Sequence, residues 1–265
     1  MAIQRISSKW SKTKVLLRDE HISTHIPVTC KYSPDALARL LSEFNVVFLK
    51  PDIGTYGRGV LSIEQLNQEN LDSDVNIQTN PYLYRLRYAT KTLMFSSLEE
   101  LDLGLQPYIH DCTYLIQQGI HLLNYNNRPF DLRVLTQKGP NQQWFSTGII
   151  GRVAAPNKVI TNHRSGGKCQ TLETLLSPYM NAMEILNQQR TLKKLGVAVA
   201  QQLQKKYPNI KELGLDIAID DHYSPWILEV NTLPALFPFK KYIDDKEIYR
   251  RIHRYAVSYG RFSAS

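Results

Sequence analysis

The sequence predicts an α+β fold built mainly from antiparallel sheets, in one continuous unit with two lobes. Short segments rich in β-branched and aromatic residues recur along the chain, as is typical of strands. Two of them, 130–137 and 144–154, flank KGPNQQ, a turn sequence rich in glycine, proline and asparagine, and therefore predict an antiparallel pair. Apolar residues at helical spacing between Leu192 and Leu203 predict a helix that stops before Pro208.

The other elements can be placed in chain order. Ser33 and Pro34 are typical of a helix cap and first turn, and they predict a helix over 34–44. Strands are expected at 45–49 and 59–63, within 74–95 and at 114–120, with a helix over 96–103. The remainder is expected to be mostly helical over 171–207, then to form two strands that end near Asp216 and Asn231, and a helix over about 245–259.

Composition favours a globular intracellular protein. The 265 residues are 43% hydrophobic and 21% charged, and no apolar run approaches the roughly 20 residues that a membrane span requires. The basic N-terminus has no following apolar segment of the signal-peptide kind. Cys30, Cys112 and Cys169 form no metal-binding pattern and suit a reducing compartment, so a cytoplasmic location is expected.

The formal charge of +8 suits an anionic ligand, which could be a nucleotide, a nucleic acid or an acidic polymer. The basic residues are scattered, apart from a cluster between Lys240 and Arg254. Aromatic signatures of RNA-recognition motifs are absent from the sequence, which argues against nucleic acid.

A candidate metal site lies in WILEVNTLP, residues 226–234. Glu229 and Asn231 are two residues apart in a predicted strand, so their side chains leave the same face. Asp216, at the end of the preceding strand, supplies a third oxygen ligand. Oxygen ligands on rigid strands suit Mg²⁺, which such clusters usually hold against phosphates.

Lys50 ends a predicted strand and precedes PDIGTYGRGV, with glycines at 54, 57 and 59. Glycines let backbone N–H groups approach phosphate oxygens, and a lysine beside them can reach a phosphate as a point charge. The pattern is neither a Walker A loop nor a dinucleotide fingerprint. A plain hairpin turn remains the alternative interpretation.

Further polar residues lie on other predicted strands. Asp131 and Arg133 share one face of FDLRVL, either as an exposed ion pair of little energetic value or as groups for a ribose and a phosphate. Arg152 begins a segment that contains Asn162 and ends in a pair of glycines, which alone would be a surface loop. Backbone groups near Gln117 and Gln118 could pair with an adenine.

The order of these motifs along the chain resembles the ATP-grasp superfamily, over about residues 9–240. RPFDLRV, TNHRSGG and KPDIGTYGRGV are most similar to the YheC/YheD family of endospore coat-associated proteins. The resemblance implies two α+β lobes with largely antiparallel sheets gripping ATP. It places a smaller lobe at about 30–120, a larger lobe at about 121–240 and a C-terminal helix at 241–265, with no separate N-terminal domain.

The resemblance also implies residue roles. Lys50 would contact the phosphates, and a loop containing Gly54, Tyr56 and Gly57 would close over them. Cofactor contacts would also come from Gln117, Gln118 and Ile120 at the adenine, Asp131 at the ribose and Asn162. Arg133 and Arg152 would be catalytic, and Asp216, Glu229 and Asn231 would hold Mg²⁺. A second ATP lysine is expected upstream, with Lys12 first and Lys9 as its rival.

The implied activity is an ATP- and Mg²⁺-dependent ligase that forms an amide through an acyl-phosphate. The alternatives are an ATP-binding structural or regulatory spore-associated protein without turnover, and phosphotransfer to a group other than a carboxylate. The expected substrates are an unidentified carboxylate and an amine, with an acidic peptide or polymer as one candidate from the net charge. A partner protein is a further expectation, because it could supply the N-terminal domain that many such ligases carry. Association with the mother cell or the spore is the expectation that the family adds to a cytoplasmic location.

Overall fold

Two units of different size make up the chain. The computed structural model describes residues 3–55, 57–66, 83–109, 112–155 and 168–263. The large unit contains described residues 3–26, 121–155 and 168–263, and the small unit contains the described residues within 27–120. The large unit is therefore discontinuous in sequence, and the small unit lies between its parts.

The small unit is a six-stranded antiparallel sheet with helices on one face. The strand order is β1-β6-β2-β3-β4-β5. Its elements are β1 (Thr29–Lys31), α3 (Pro34–Phe44), β2 (Val46–Pro51), β3 (Leu61–Gln65), β4 (Tyr84–Tyr88), β5 (Lys91–Phe95), α4 (Leu98–Ile109) and β6 (Tyr114–Gln118).

Helix α3 shows how local sequence sets this unit. The Ser33 side chain accepts from the N–H of Ala36, Pro34 occupies the first turn, and Asn45 ends the helix with φ 57°. Its leucines pack into a core with Val47, Leu49 and Ile116. Because side chains alternate along a strand, the residues next to these in β2 and β6 point to the opposite face.

The large unit has a second antiparallel sheet, with strand order β10-β9-β8-β11-β12, and β7 paired to β8. Its strands are β7 (Asn124–Tyr125), β8 (Arg128–Lys138), β9 (Trp144–Val153), β10 (Lys168–Gln170), β11 (Glu212–Ile219) and β12 (Pro225–Asn231). Its helices are α1 (Lys9–Leu16), α2 (Glu20–Ser23), α5 (Leu172–Leu176), α6 (Ala182–Lys206), α7 (Phe237–Tyr242) and α8 (Lys246–Ser258).

Helices cover the two faces of this sheet unequally. The long helix α6 begins with a capping box formed by Asn181 and Glu184, and its buried leucines pack on one face with Phe130, Leu132 and Val134. On the other face, α7 and α8 cover one part through a small core that includes Leu135, Ile150, Phe239 and Ile252. Asp131, Arg133, Arg152, Asp216 and Glu229 lie on this second face.

A buried carboxylate joins the two ends of the large unit. Glu212 is 0% exposed and lies 2.9 Å from Arg5 Nη1 and 2.8 Å from the Tyr259 hydroxyl. Arg261 forms a second ion pair with it. Arg261 also donates to the Pro234 carbonyl at 2.8 Å. We call Arg5, Glu212, Tyr259 and Arg261 the terminal clasp.

The predicted α+β fold with mainly antiparallel sheets is confirmed. The expected pair between 130–137 and 144–154 is β8 with β9, and the helix over 34–44 is α3. The helical stretch 171–207 is two helices, α5 and α6, with a break that ends at the Asn181 cap. The sequence also predicts strands within 74–95. Residues 74–82 lie outside the described part, and the described remainder of this stretch forms β4 and β5. Helix α4 extends six residues beyond the predicted stretch, to Ile109, with Pro107 inside it.

Candidate functional site

A row of charged side chains crosses the sheet of the large unit, on the face opposite α6. In register, Asp131 of β8 pairs with Arg152 of β9, and Arg133 of β8 pairs with Asp216 of β11. Residues directly opposite each other in an antiparallel pair project to the same side. Three strands therefore bring together four residues that are far apart in sequence.

The four side chains contact one another in alternating charge. Arg152 Nε donates to Asp131 Oδ1 at 2.7 Å, and Arg152 Nη2 donates to Asp131 Oδ2. The same Nη2 lies 3.0 Å from Asp216 Oδ2, and Arg133 Nε donates to Asp216 Oδ1 at 2.5 Å. We call this set, Asp131–Arg152–Asp216–Arg133, the charge row. It is not the exposed ion pair of Asp131 with Arg133 that the sequence left open, because each carboxylate pairs across strands.

Burial and charge act in opposite directions on these groups. Burial alone would raise the pKa of Asp216, but Arg133 and Arg152 outweigh it and hold that pKa below its ordinary value. Burial alone would lower the pKa of Arg152, and Asp131 with Asp216 outweighs it. The Asp216 carboxylate is thus held ionised, and both guanidiniums are held in place by bonded partners.

Glu229 extends the row to the next strand. It is the register partner of Asp216, and its Oε1 lies 3.7 Å from Lys9 Nζ on α1. Its side chain is 27% exposed, more than those of the charge row. Asn231 pairs with Gly214, two residues further along the same two strands.

A bulge in β12 sets these directions. Asp216 pairs with Glu229 but Ile217 pairs with Ile227, so Leu228 is an extra residue. The bulge lets Ile227 and Val230 both pack in the core with α6 although they are three residues apart. Glu229 and Asn231 then share the other face, as the strand period predicts.

Gly214 allows a close approach at this point. A Cβ there would lie 2.7 Å from Pro234 Cβ and 3.1 Å from Arg133 Cδ. Pro234 therefore packs over the glycine and beside the Arg133 side chain. The terminal clasp holds Pro234 through Arg261, so it supports one side of the site.

The donor set of Asp216, Glu229 and Asn231 suits a hard cation, because it offers two carboxylates and one amide oxygen. Within the described residues, no group of three His, Cys, Asp or Glu side chains is placed to hold a metal. Both oxygens of Asp216 already contact guanidiniums, whereas Glu229 is more accessible. The residue types therefore suit a hard cation, whereas in this arrangement both oxygens of Asp216 serve the two arginines.

The two upstream lysines differ in position. Lys12 is 4% exposed, and its Nζ donates to the Ile6 carbonyl at 2.8 Å. Lys9 instead contacts Glu229 at the candidate metal site. Lys12 therefore makes a structural contact with the backbone, whereas Lys9 lies beside a residue of the candidate site.

In the small unit, Lys50 of β2 lies on the sheet face opposite the helices. Its Nζ donates to the amide oxygen of Gln117 on β6, and it lies 5.7 Å from the Phe48 ring centroid. Gln117 in turn donates to the Thr29 hydroxyl at 3.0 Å. Three strands thus hold Lys50 and Gln117 in one polar set.

The glycine loop follows Lys50 directly. Gly57 and Gly59 have φ of 70° and 74°, values that residues other than glycine rarely adopt. A Cβ at Gly54 would lie 3.2 Å from Pro51 Cγ, so the loop folds back closely on the end of β2. Tyr56 lies outside the described residues.

The expected adenine segment follows β6. The Gln118 N–H donates to the Val28 carbonyl at 2.8 Å, and its side-chain oxygen accepts from the Val28 N–H at 3.2 Å. Its side chain is therefore committed to the neighbouring backbone. Ile120 is partly exposed and is the last residue of the small-unit segment. Asn162, also expected at the cofactor, lies outside the described residues.

Sequence reasoning did not find the terminal clasp. More than 200 residues separate Arg5 from Glu212, and 49 separate Glu212 from Arg261. None of the three forms a local motif. The one available signal was Glu212, a carboxylate at the start of ELGLDIAI, a run that is mostly apolar apart from Asp216.

The described helices include none that is both long and apolar enough to cross a membrane.

The chain is similar to known proteins in both sequence and fold. The profile of the "YheC/D like ATP-grasp" family matches residues 2–262. "Endospore coat-associated protein YheD" from Bacillus subtilis (strain 168) is 23% identical over 238 residues, which cover 86% of this chain and 48% of YheD. The chain thus spans about half the length of this curated relative.

Two solved structures share the fold at low identity. The D-cycloserine synthetase DcsG has a TM-score of 0.53 and 11% identity, over 94% of this chain and 69% of its own. The C-terminal domain of K. lactis Pby1, an ATP-grasp enzyme that interacts with the mRNA decapping enzyme Dcp2, has a TM-score of 0.54 and 14% identity, over 97% and 74%. The family match over nearly the whole length, together with these folds, shows that this chain belongs to the YheC/D-like ATP-grasp family.

Proposed function

We propose that the protein is an ATP- and Mg²⁺-dependent ligase that activates a carboxylate for attack by an amine. The observation that carries the proposal is the charge row beside Glu229 and Asn231: two fixed guanidiniums next to a hard-cation donor set on one sheet face. Family membership and the synthetase among the solved folds support it.

The reaction is balanced without a protein nucleophile. A carboxylate oxygen attacks the γ-phosphorus of ATP, the bond to the β–γ bridging oxygen breaks, and ADP leaves. The amine nitrogen then attacks the carbonyl carbon of the acyl-phosphate, inorganic phosphate leaves with the electron pair, and the amine loses a proton. Phosphate is a far better leaving group than oxide, so the step needs mainly positioning and charge neutralisation.

Arg133 and Arg152 are assigned to the transferred phosphoryl group. Their contacts with Asp216 and Asp131 fix the guanidinium planes before any ligand binds. Such preorganisation lowers the cost of stabilising charge in the transition state. Asp131 is 2% exposed and has both oxygens on Arg152, so it is better suited to positioning Arg152 than to contacting a ribose.

The small unit is assigned the nucleotide contacts. Lys50 would reach the phosphates, the loop of Gly54, Tyr56 and Gly57 would cover them, and backbone groups near Gln118 and Ile120 would face the adenine. The exchange of Lys50 from the neutral amide of Gln117 to a phosphate requires only a side-chain movement. Asp216, Glu229 and Asn231 would hold Mg²⁺, which when bound neutralises phosphate charge.

The test is a substrate-pool screen with mass-spectrometric detection of ATP-dependent products. Glu229→Gln keeps the size of the side chain but removes its charge, so ADP and phosphate release should fall to background. Glu43→Gln, at an exposed glutamate on α3, is the matched control and should retain activity. Full turnover by the Glu229 variant would contradict the assignment.

A second function is an ATP-binding structural or regulatory protein without turnover. The name of the YheD relative, endospore coat-associated protein, favours it. Tight binding of ATP in a thermal-shift assay, with no peptide or metabolite pool that triggers ADP release, would select this function. A stable phosphorylated product without an amide would select phosphotransfer to another group.

A further inference from the structure

The positive charge of the chain is concentrated at its C-terminal part. Residues 237–263 contain seven lysine and arginine residues against three aspartate and glutamate residues, a net formal charge of +4. The whole 265-residue chain carries +8. Half of the excess charge therefore lies in helices α7, α8 and the segment that follows.

The charges are displayed on the surface. Lys240, Lys241, Arg250 and Arg254 are all exposed, whereas Ile252 and Ala256 hold α8 on the sheet. Arg250 and Arg254 are four residues apart, so they lie on one side of the helix. We call these four cations the basic strip.

Aromatic rings lie beside two cations of the strip, Lys240 and Arg254. Lys240 Nζ lies 5.8 Å from the Tyr249 ring centroid, Tyr249 packs against His253, and His253 stacks on Phe262 at 5.3 Å. Arg254 lies over the ring of Tyr255. These contacts limit the movement of the cations and give the surface a defined shape.

The α7 end of the basic strip, with Lys240 and Lys241, lies on the same side of the sheet as the charge row. Helix α7 packs against β9 and β10, the strands that carry Arg152 and Cys169, which are register partners. Burial raises the pKa of the Cys169 thiol, and Arg152, Arg133 and Lys241 each act to lower it.

We propose that the basic strip docks an acidic polypeptide, and that a side-chain carboxylate of this polypeptide is the group that the neighbouring site activates. The second half of this inference rests on the proposed ligase function. Charge complementarity carries the choice of partner, because a glutamate- or aspartate-rich segment presents repeated carboxylates to the four cations. The same segment supplies the functional group that the reaction consumes.

The packing favours a polypeptide over a nucleic acid. Proteins that hold single-stranded nucleic acid stack bases on accessible aromatic faces. Here the Tyr249, His253 and Phe262 rings pack on each other, at interplanar angles of 47° and 16°. The exposed rings nearby, Phe237 and Phe262, lie against the cations of Lys241 and Arg261. The strip therefore offers cations to an acidic chain more readily than ring faces to bases.

Binding of fluorescein-labelled poly-L-glutamate to the full chain, without nucleotide, tests the docking step by fluorescence anisotropy. We expect saturable binding that weakens as the salt concentration rises from about 50 to about 200 mM. Replacing Lys240, Lys241, Arg250 and Arg254 together by Gln should raise the Kd at least about tenfold. Unchanged melting temperature would confirm that the variant is folded.

A matched variant replaces four exposed cations of α6 by Gln: Arg190, Lys194, Lys205 and Lys206. It removes the same charge from the same unit, so a Kd within about twofold of the unmodified chain supports a specific surface. Equal weakening by both variants, absence of poly-L-glutamate binding, or tighter binding of poly-uridylate RNA would each overturn the docking proposal.

ADP release separates the two proposals. Release stimulated by poly-L-glutamate and lost in the basic-strip variant would support both. A second outcome is that poly-L-glutamate binding depends on the strip and ATP binds, but ADP is not released under any condition. This outcome would support the docking surface, remove its substrate role and refute the ligase function.

Discussion

The polar faces of the two sheets hold their cations in different ways. In the large unit, Arg133 and Arg152 alternate with two carboxylates, and the four side chains contact one another before any ligand binds. In the small unit, Lys50 donates to the neutral amide of Gln117. The large-unit arginines therefore contribute to folding as well as to the candidate site, whereas Lys50 can serve a ligand with less effect on stability.

The largest expected effect is on the charge row. Arg152→Met leaves the buried Asp131 without its bidentate partner, so the free energy of unfolding should fall by about 3–5 kcal/mol. Tryptophan fluorescence during denaturant unfolding is a suitable measurement, because Trp10, Trp144 and Trp226 all lie in the large unit. Arg250→Met, at an exposed arginine of the same unit, should change it by less than about 1 kcal/mol. A similar small loss for both variants would mean that the row is not a buried network.

The charge row also predicts acid sensitivity. The pKa of Asp216 is held below its ordinary value, so its stabilising contribution is complete above about pH 4 and is lost as the pH falls through the lower folded-state pKa. The free energy of unfolding should therefore decline below about pH 4 by about 1.4 kcal/mol for each unit by which the pKa is lowered. Asp216→Asn should flatten this decline and Asp221→Asn, at an exposed carboxylate, should not. An acid limb identical in the Asp216 variant would refute the assignment.

The sequence was sufficient for the fold and for the faces of several strands. The alternation in FDLRVL and LEVN correctly placed Asp131 with Arg133, and Glu229 with Asn231, because a strand has a fixed period of two. It could not show that Arg133 contacts Asp216, since that depends on β11 lying beside β8. The bulge at Leu228 and the return of α1 to Glu229 also depend on tertiary packing rather than on local pattern.

A smaller effect on folding is expected in the small unit. Lys50→Met removes the hydrogen bond to Gln117 and should lower the free energy of unfolding by only about 1 kcal/mol. The affinity for a non-hydrolysable ATP analogue should fall at least about tenfold, because a phosphate would lose its point charge. Isothermal titration calorimetry measures the affinity, and hydrogen exchange of 27–120 measures local stability. Unaltered affinity would remove Lys50 from the proposed site.

The smallest effect concerns Lys9. Its contact with Glu229 is 3.7 Å long and partly exposed, so Lys9→Met should change the free energy of unfolding by less than about 1 kcal/mol. The variant should bind Mn²⁺ more tightly in the absence of nucleotide, because the ammonium no longer competes for the carboxylate. Electron paramagnetic resonance of free Mn²⁺ reports this directly, with Lys14→Met on the same helix as control. Weaker Mn²⁺ binding would indicate that Lys9 supports the metal site instead.

The terminal clasp has a consequence for biosynthesis. Glu212 is buried against Arg5 and Arg261, so the large unit acquires its full set of contacts only after residue 261 has been added to the chain. The described part of the small unit lies within 27–120 and is translated long before that point. Since domains generally fold as units during synthesis, the inserted unit should fold first. Residues 3–26 should acquire their final contacts only after the C-terminal part of the large unit has been synthesised. Protease treatment of ribosome-stalled chains would then protect the middle of the protein before its beginning.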